Sequence, residues 1–79
     1  MNIQNLNDFK QASGIIRYAF LKENGYDNPR LATHFRCSTS LISQALHKHL
    51  PAKKKMKQIE SSKLILKLIA RSNEKSKAA

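Results

Sequence analysis

The sequence predicts an all-α domain of four to five helices, on three observations. No stretch alternates apolar and polar residues with the period of two that a strand requires. Apolar residues recur instead at spacings of three and four. Only two Gly and two Pro interrupt 79 residues, and Gly25, Pro29 and Pro51 each stand where a helix begins or ends. The length fits one domain with a modest core.

Residues 1–12 form an arm or a short helix. Leu6, Phe9 and Ala12 have helical spacing, and Asn5 or Asn7 can cap a turn. The first firm helix runs from Ser13 to Asn24. Ile16 and Phe20 share a face, with Ile15, Ala19 and Leu21 beside them. Gly25 supplies a left-handed cap. The second helix starts at Asp27-Asn28-Pro29, where Asp27 or Asn28 accepts from orphan amides and Pro29 sacrifices no bond. It ends near Arg36. Ser38 caps a third helix, read through to Lys48, with Pro51 at or just past its end. Residues 53–71 make one helix or two, since Ser61 or Ser62 can cap a separate last one. Leu64, Ile65, Leu68 and Ile69 form a stripe there, and Leu66 falls off it. The domain is therefore set at 13–71, and 72–79 is expected to be a flexible tail.

Charge is distributed unevenly. Of 15 Lys and Arg, 12 lie in residues 28–79, opposed only by Glu60 and Glu74; the formal net charge is +10. In residues 1–27, Lys10, Arg17 and Lys22 cancel Asp8, Glu23 and Asp27. A one-sided basic field attracts phosphate backbones through Coulomb attraction and counterion release. The bland alternative is a set of solvated lysines. Cys37 is the only cysteine, so no internal disulfide forms. No apolar run reaches the roughly 20 residues of a membrane span, and Met1 to Asn7 lacks the blocks of a signal peptide. A cytoplasmic location is expected, with no membrane partner.

Asn28 to His47 carries the functional signal. Two short helices that cross sharply need a small residue at their contact, and Ala32 supplies it. They need apolar side chains in the junction, and Leu31, Phe35, Cys37, Ile42 and Ala45 are spaced for that. Thr39, Ser40, Ser43, Gln44 and His47 then share the outer face, all small or able to hydrogen-bond. This is the pattern of a helix-turn-helix spanning about residues 28–48.

Leu31-Ala32, Phe35, Cys37-Ser38, Ile42-Ser43 and Leu46 resemble the helix-turn-helix of lambda-repressor-like regulators. Gln44 to Pro51, followed by lysines, is most similar to the Ner-like regulators of transposable phages. The likeness covers roughly residues 15–66. It implies a compact lambda-repressor-like DNA-binding domain acting as a transcriptional regulator, and a phage or prophage repressor that occupies promoter DNA. It also implies double-stranded operator DNA as partner. A homodimer would match an inverted repeat. The family usually places Gly in the turn, where this chain has Arg36. A residue other than Gly costs on the order of 1 kcal/mol in left-handed backbone.

The resemblance implies that the third helix reads bases. Gln44 can bond adenine N6 and N7 together. Thr39 and Ser40 reach a phosphate or a base edge, and Ser43 permits close approach. Leu41 touches a thymine methyl or packs inward. Arg30, Arg36, His47, Lys48, Lys53, Lys54, Lys55 and Lys57 are the phosphate-binding candidates. Leu64, Leu66, Leu68 and Ile69 either close the core or extend into a dimer interface.

Other chemistries find little support. His34, His47, His49 and Cys37 fit no zinc spacing. There is no glycine-rich phosphate loop and no carboxylate pair, so neither enzyme activity nor a cofactor is expected. At this size no separate ligand domain, and hence no small-molecule ligand, is expected. Two alternatives remain open. One is a non-specific architectural nucleic-acid binder dominated by its lysines. The other is a protein-interaction module docking through the C-terminal stripe; a basic amphipathic helix lying on a membrane is a lesser option.

Overall fold

A computed structural model describes the backbone of residues 3–78 and the side chains of residues 3–74. The described residues are all-helical. Among them six α-helices follow in order, α1 Leu6–Gln11, α2 Gly14–Glu23, α3 Asn28–Phe35, α4 Thr39–Leu46, α5 Lys53–Glu60 and α6 Lys63–Ala78, with a 3-10 turn at Leu50–Ala52 before α5. No strand occurs among the described residues.

Each of the first four helices begins on a side-chain cap. Asn5, Ser13, Asp27 and Ser38 accept from the amides of Asp8, Ile16, Arg30 and Leu41. Such caps satisfy donors that the helix itself leaves unpaired, each worth about 1 kcal/mol. The helix count exceeds the expected four to five for two reasons. Asn5 caps α1, the short-helix alternative of the two expected for residues 1–12. Ser62 accepts from Ile65 N–H at 3.4 Å and starts α6 separately, so residues 53–71 are two helices.

Three helix ends share one device. Gly25, Arg36 and Lys48 each adopt left-handed backbone, with φ of 85°, 55° and 61°. In each case the amide of that residue and of the next bond back into the preceding turn: Gly25 to Lys22 O and Tyr26 to Leu21 O, Arg36 to Thr33 O and Cys37 to Ala32 O, Lys48 to Ala45 O and His49 to Gln44 O. These two hydrogen bonds satisfy two of the orphan carbonyls at the ends of α2, α3 and α4. It stops α4 at Leu46, two residues short of the expected Lys48. Pro51 follows the end and does not cause it.

The core is one cluster drawn from every helix. Phe9, Leu21, Leu31, Ile42, Leu46, Ile59 and Ile65 are fully buried, each stabilising by about 1.5–3 kcal/mol. α4 is central, packing against α2, α3 and α5 as well as the 3-10 turn. α6 lies over α1 and α5.

Several expectations need correction. Leu64, Leu68 and Ile69 are buried inside this chain, and only Leu66 of that group is exposed. The stripe closes the protein's own core, the first of the two readings its spacing left open. α6 runs to Ala78 where a tail was expected from residue 72, and Asn73 donates to Gln4 O at 2.9 Å, tying it to the N-terminal segment. Met1, Asn2 and Ala79 lie outside the described residues. On α2, Ile15 and Ala19 point to solvent, while Arg17, Phe20, Leu21 and Asn24 face inward.

Arg17 is the least expected member of that inward face. It is 1 % exposed. Its Nε donates to Phe9 O at 2.9 Å and its Nη2 to Lys10 O at 2.7 Å. Nη2 also pairs with Glu60, and the guanidinium lies 4.8 Å from the Phe9 ring centre. The two carbonyls belong to the last turn of α1, which has no intrahelical donors for them. One side chain of α2 thus satisfies the end of α1 and joins it to α5. A buried charge tolerates this position because it is both paired and hydrogen-bonded.

Candidate nucleic-acid interface

Local sequence sets the α3–turn–α4 unit. Asp27 accepts from Arg30 N–H at 3.0 Å, and Pro29 stands in the first turn of α3. Arg30 folds back over this start. Its guanidinium lies 4.7 Å from the Tyr26 ring centre and donates to Gly25 O at 3.1 Å. Tyr26 in turn meets His34 edge-on at 6.4 Å, and His34 meets Phe35 at 4.8 Å. Arg30 is therefore exposed but anchored.

Leu31, Ala32 and Phe35 of α3 bury against Ile42, Ala45 and Leu46 of α4, and Cys37 is half-buried at the junction. Every residue placed in that junction from sequence spacing packs on the core. Arg36 takes the left-handed turn position with φ 55° and ψ 53°, so the turn keeps the geometry that favours Gly while carrying a cation. This backbone costs about 1–2 kcal/mol outside Gly. Ser38 Oγ then accepts from Leu41 N–H at 3.1 Å and orients α4.

The inner face of α4 is fixed by Ile42, Ala45 and Leu46, so helical geometry turns Ser40, Ser43 and Gln44 outward. Thr39 and Ser40 are exposed, and Ser43 and Gln44 are half-buried. Leu41 is half-buried against the core. Packing thus accounts for it without a thymine methyl. The outer face carries no large apolar group and no charge, so a groove edge can approach it closely.

His47 closes the far end of α4. A Cβ at Gly14, the first residue of α2, would lie 2.7 Å from His47 Cα and 2.6 Å from its Cγ. Only a glycine lets α2 and the end of α4 approach this closely. That contact fixes where the outer face sits relative to the core. Sequence spacing alone does not reveal it, because the two residues are far apart in the chain.

The structure divides the lysine cluster. Lys55 Nζ donates to Phe35 O at 3.3 Å and to Gln58 Oε1 at 2.8 Å. It caps the last turn of α3 and is half-buried, which corrects its placement among free phosphate contacts. Lys57 lies about 200° around α5 from Lys55. With Lys10, Glu60 and Ser61 it lines a shallow depression between α1 and α5, away from the turn. Lys53 and Lys54 are exposed at the start of α5. The four lysines do not form one patch.

One further feature emerges from the fold. Lys63, Lys67 and Arg71 are exposed at spacings of four along α6, beside exposed Leu66. A helical wheel of the sequence could have found this row, since Leu64, Ile65, Leu68 and Ile69 define its opposite face. Among the described residues, no group of three or more His, Cys, Asp or Glu could hold a metal ion, and no helix is long and apolar enough to cross a membrane. No family model, curated protein or solved structure matches this chain.

Proposed function

We propose that this protein is a sequence-specific DNA-binding regulator whose α3–turn–α4 unit acts as a helix-turn-helix of lambda-repressor-like type. The observation that carries this reading is the division of α4. Its inner face is apolar and buried, and its outer face presents Ser40, Ser43 and Gln44 without apolar bulk. The net charge of +10 supports a phosphate-rich partner.

In this reading Gln44 bonds an adenine edge. Ser40 and Thr39 contact a base edge or phosphate in the first turn, and Ser43 permits approach. Arg30, Arg36, His47, Lys48, Lys53 and Lys54 serve the backbone and set register. Regulation follows from occupying promoter DNA and excluding polymerase, as the resemblance to Ner-like phage regulators implies. Two copies would meet on an inverted repeat through the spacing of half-sites. The stripe of α6 is buried in the core, which weighs against its use as a dimer or protein-docking face.

Selection of bound sequences from a random duplex pool tests the proposal. A defined consensus is the expected result. Enrichment of no sequence would overturn it and leave an architectural binder. Gln44→Ala separates these two as well: a reader loses discrimination at one position by roughly 1–3 kcal/mol, and an architectural protein hardly changes.

A further inference from the structure

We infer that Arg36 and Lys48 form a pair of phosphate clamps built into the two ends of α4, each held in a backbone conformation that favours Gly. The inference rests on the DNA-binding reading above and assigns two of its backbone contacts a specific role and geometry.

Three helices end in the same double-hydrogen-bonded cap. α2 does not adjoin α4 in the chain, and it uses Gly25. The two caps that bracket α4 use Arg36 and Lys48, and these are the only non-glycine residues with positive φ among the described residues. Both are exposed. Gly and Asn are the residues that reach this conformation at least cost. Strained backbone persists where the surrounding structure over-determines it, and it clusters at functional sites. Here the over-determination is visible: Ser38 Oγ, Lys55 Nζ and the Gly14–His47 contact pin the segments beside both caps.

Spacing agrees with the role. Eight residues of α4 span about 12 Å, and Arg36 and Lys48 stand just beyond its two ends. In the DNA-binding reading these two cations flank the helix that faces the groove, where backbone phosphates run. Each residue lies next to a cap, so its Cα is fixed even though its side chain is long. That makes the pair a register device and not merely a source of charge. A simpler role is attraction to the negative ends of the α3 and α4 dipoles. That role affects stability and leaves DNA binding untouched.

The test compares the full-length protein with Arg36→Gly, Lys48→Gly and the double variant. The binding probes are a duplex selected from the random pool and a random duplex of equal length, from 50 to 200 mM salt. Each single variant is expected to lose about tenfold in affinity on both duplexes and to reduce the log–log salt slope by about 0.9. The thermal midpoint is expected to stay at or above that of the parent, since strain is relieved. Arg36→Lys with Lys48→Arg should restore most of the affinity. Arg36→Asn and Lys48→Asn, which also tolerate left-handed backbone, should repeat the loss. Unchanged affinity and slope in the double variant, with a shifted midpoint, would overturn the inference and leave two helix-end cations. A parent that binds neither duplex at 50 mM salt would overturn the DNA-binding reading, and the clamp assignment with it.

Discussion

Replacing Arg17 with Met should destabilise this domain more than any substitution on its surface. The guanidinium is 1 % exposed and its partner Glu60 is 15 % exposed at the side chain. Met keeps an unbranched stem of similar length, so packing is largely retained. What is lost is the ion pair and two bonds to the end of α1, at 2.9 Å to Phe9 O and 2.7 Å to Lys10 O. Removing one partner of a buried pair costs about 3–5 kcal/mol. Glu60 retains some solvent contact, which places the loss at about 3 kcal/mol. For a domain of this size each kcal/mol moves the midpoint by about 4–8 °C, so thermal unfolding followed by far-UV circular dichroism should drop by at least roughly 12 °C. Adding Glu60→Leu should recover more than half of that, because the unpaired carboxylate is then gone. The α1 carbonyls still lack donors, so recovery stays incomplete. An Arg17→Met midpoint within about 5 °C of the parent, equivalent to roughly 1 kcal/mol, would refute the assignment of Arg17 as the joint between α1, α2 and α5.

Gly14→Ala puts a methyl 2.7 Å from a backbone atom of His47, and chemical denaturation should show a loss of about 1–3 kcal/mol. Lys55→Met should lower stability by about 1 kcal/mol by uncapping Phe35 O, and leave the salt slope of DNA binding unchanged. Lys54→Met should do the reverse, with an unchanged midpoint and a slope smaller by about 0.9.

The helices α2, α3 and α4 were legible in the sequence because short-range chemistry sets them. Asp27, Ser38 and Gly25 act within a few residues of where they stand, and the expected junction residues pack as spacing requires. The inward face of α2 was not legible, since Arg17 reads as a surface charge unless its distant partners are known. Its one signal is the row Arg17, Phe20, Leu21, Asn24 at spacings of three and four, matched by Glu60 as a rare acid in a basic stretch. Gly14 and Lys55 escaped for the same reason: their meaning lies in contacts with His47 and Phe35, far along the chain. The stop of α4 was misplaced because Lys48 adopts a conformation that composition assigns to Gly. At the candidate site, the outer face of α4 followed from helical geometry, whereas the division of the lysines depended on how α5 docks.

The central claim is that the outer face of α4 meets DNA. The most direct measurement is a titration of 15N-labelled protein with the duplex selected from the random pool, followed by amide chemical shifts. The account predicts the largest changes at Thr39, Ser40, Ser43 and Gln44, with Arg36 and Lys48 close behind and the Lys63–Arg71 row of α6 little affected. Largest changes on α6 with α4 silent would contradict it.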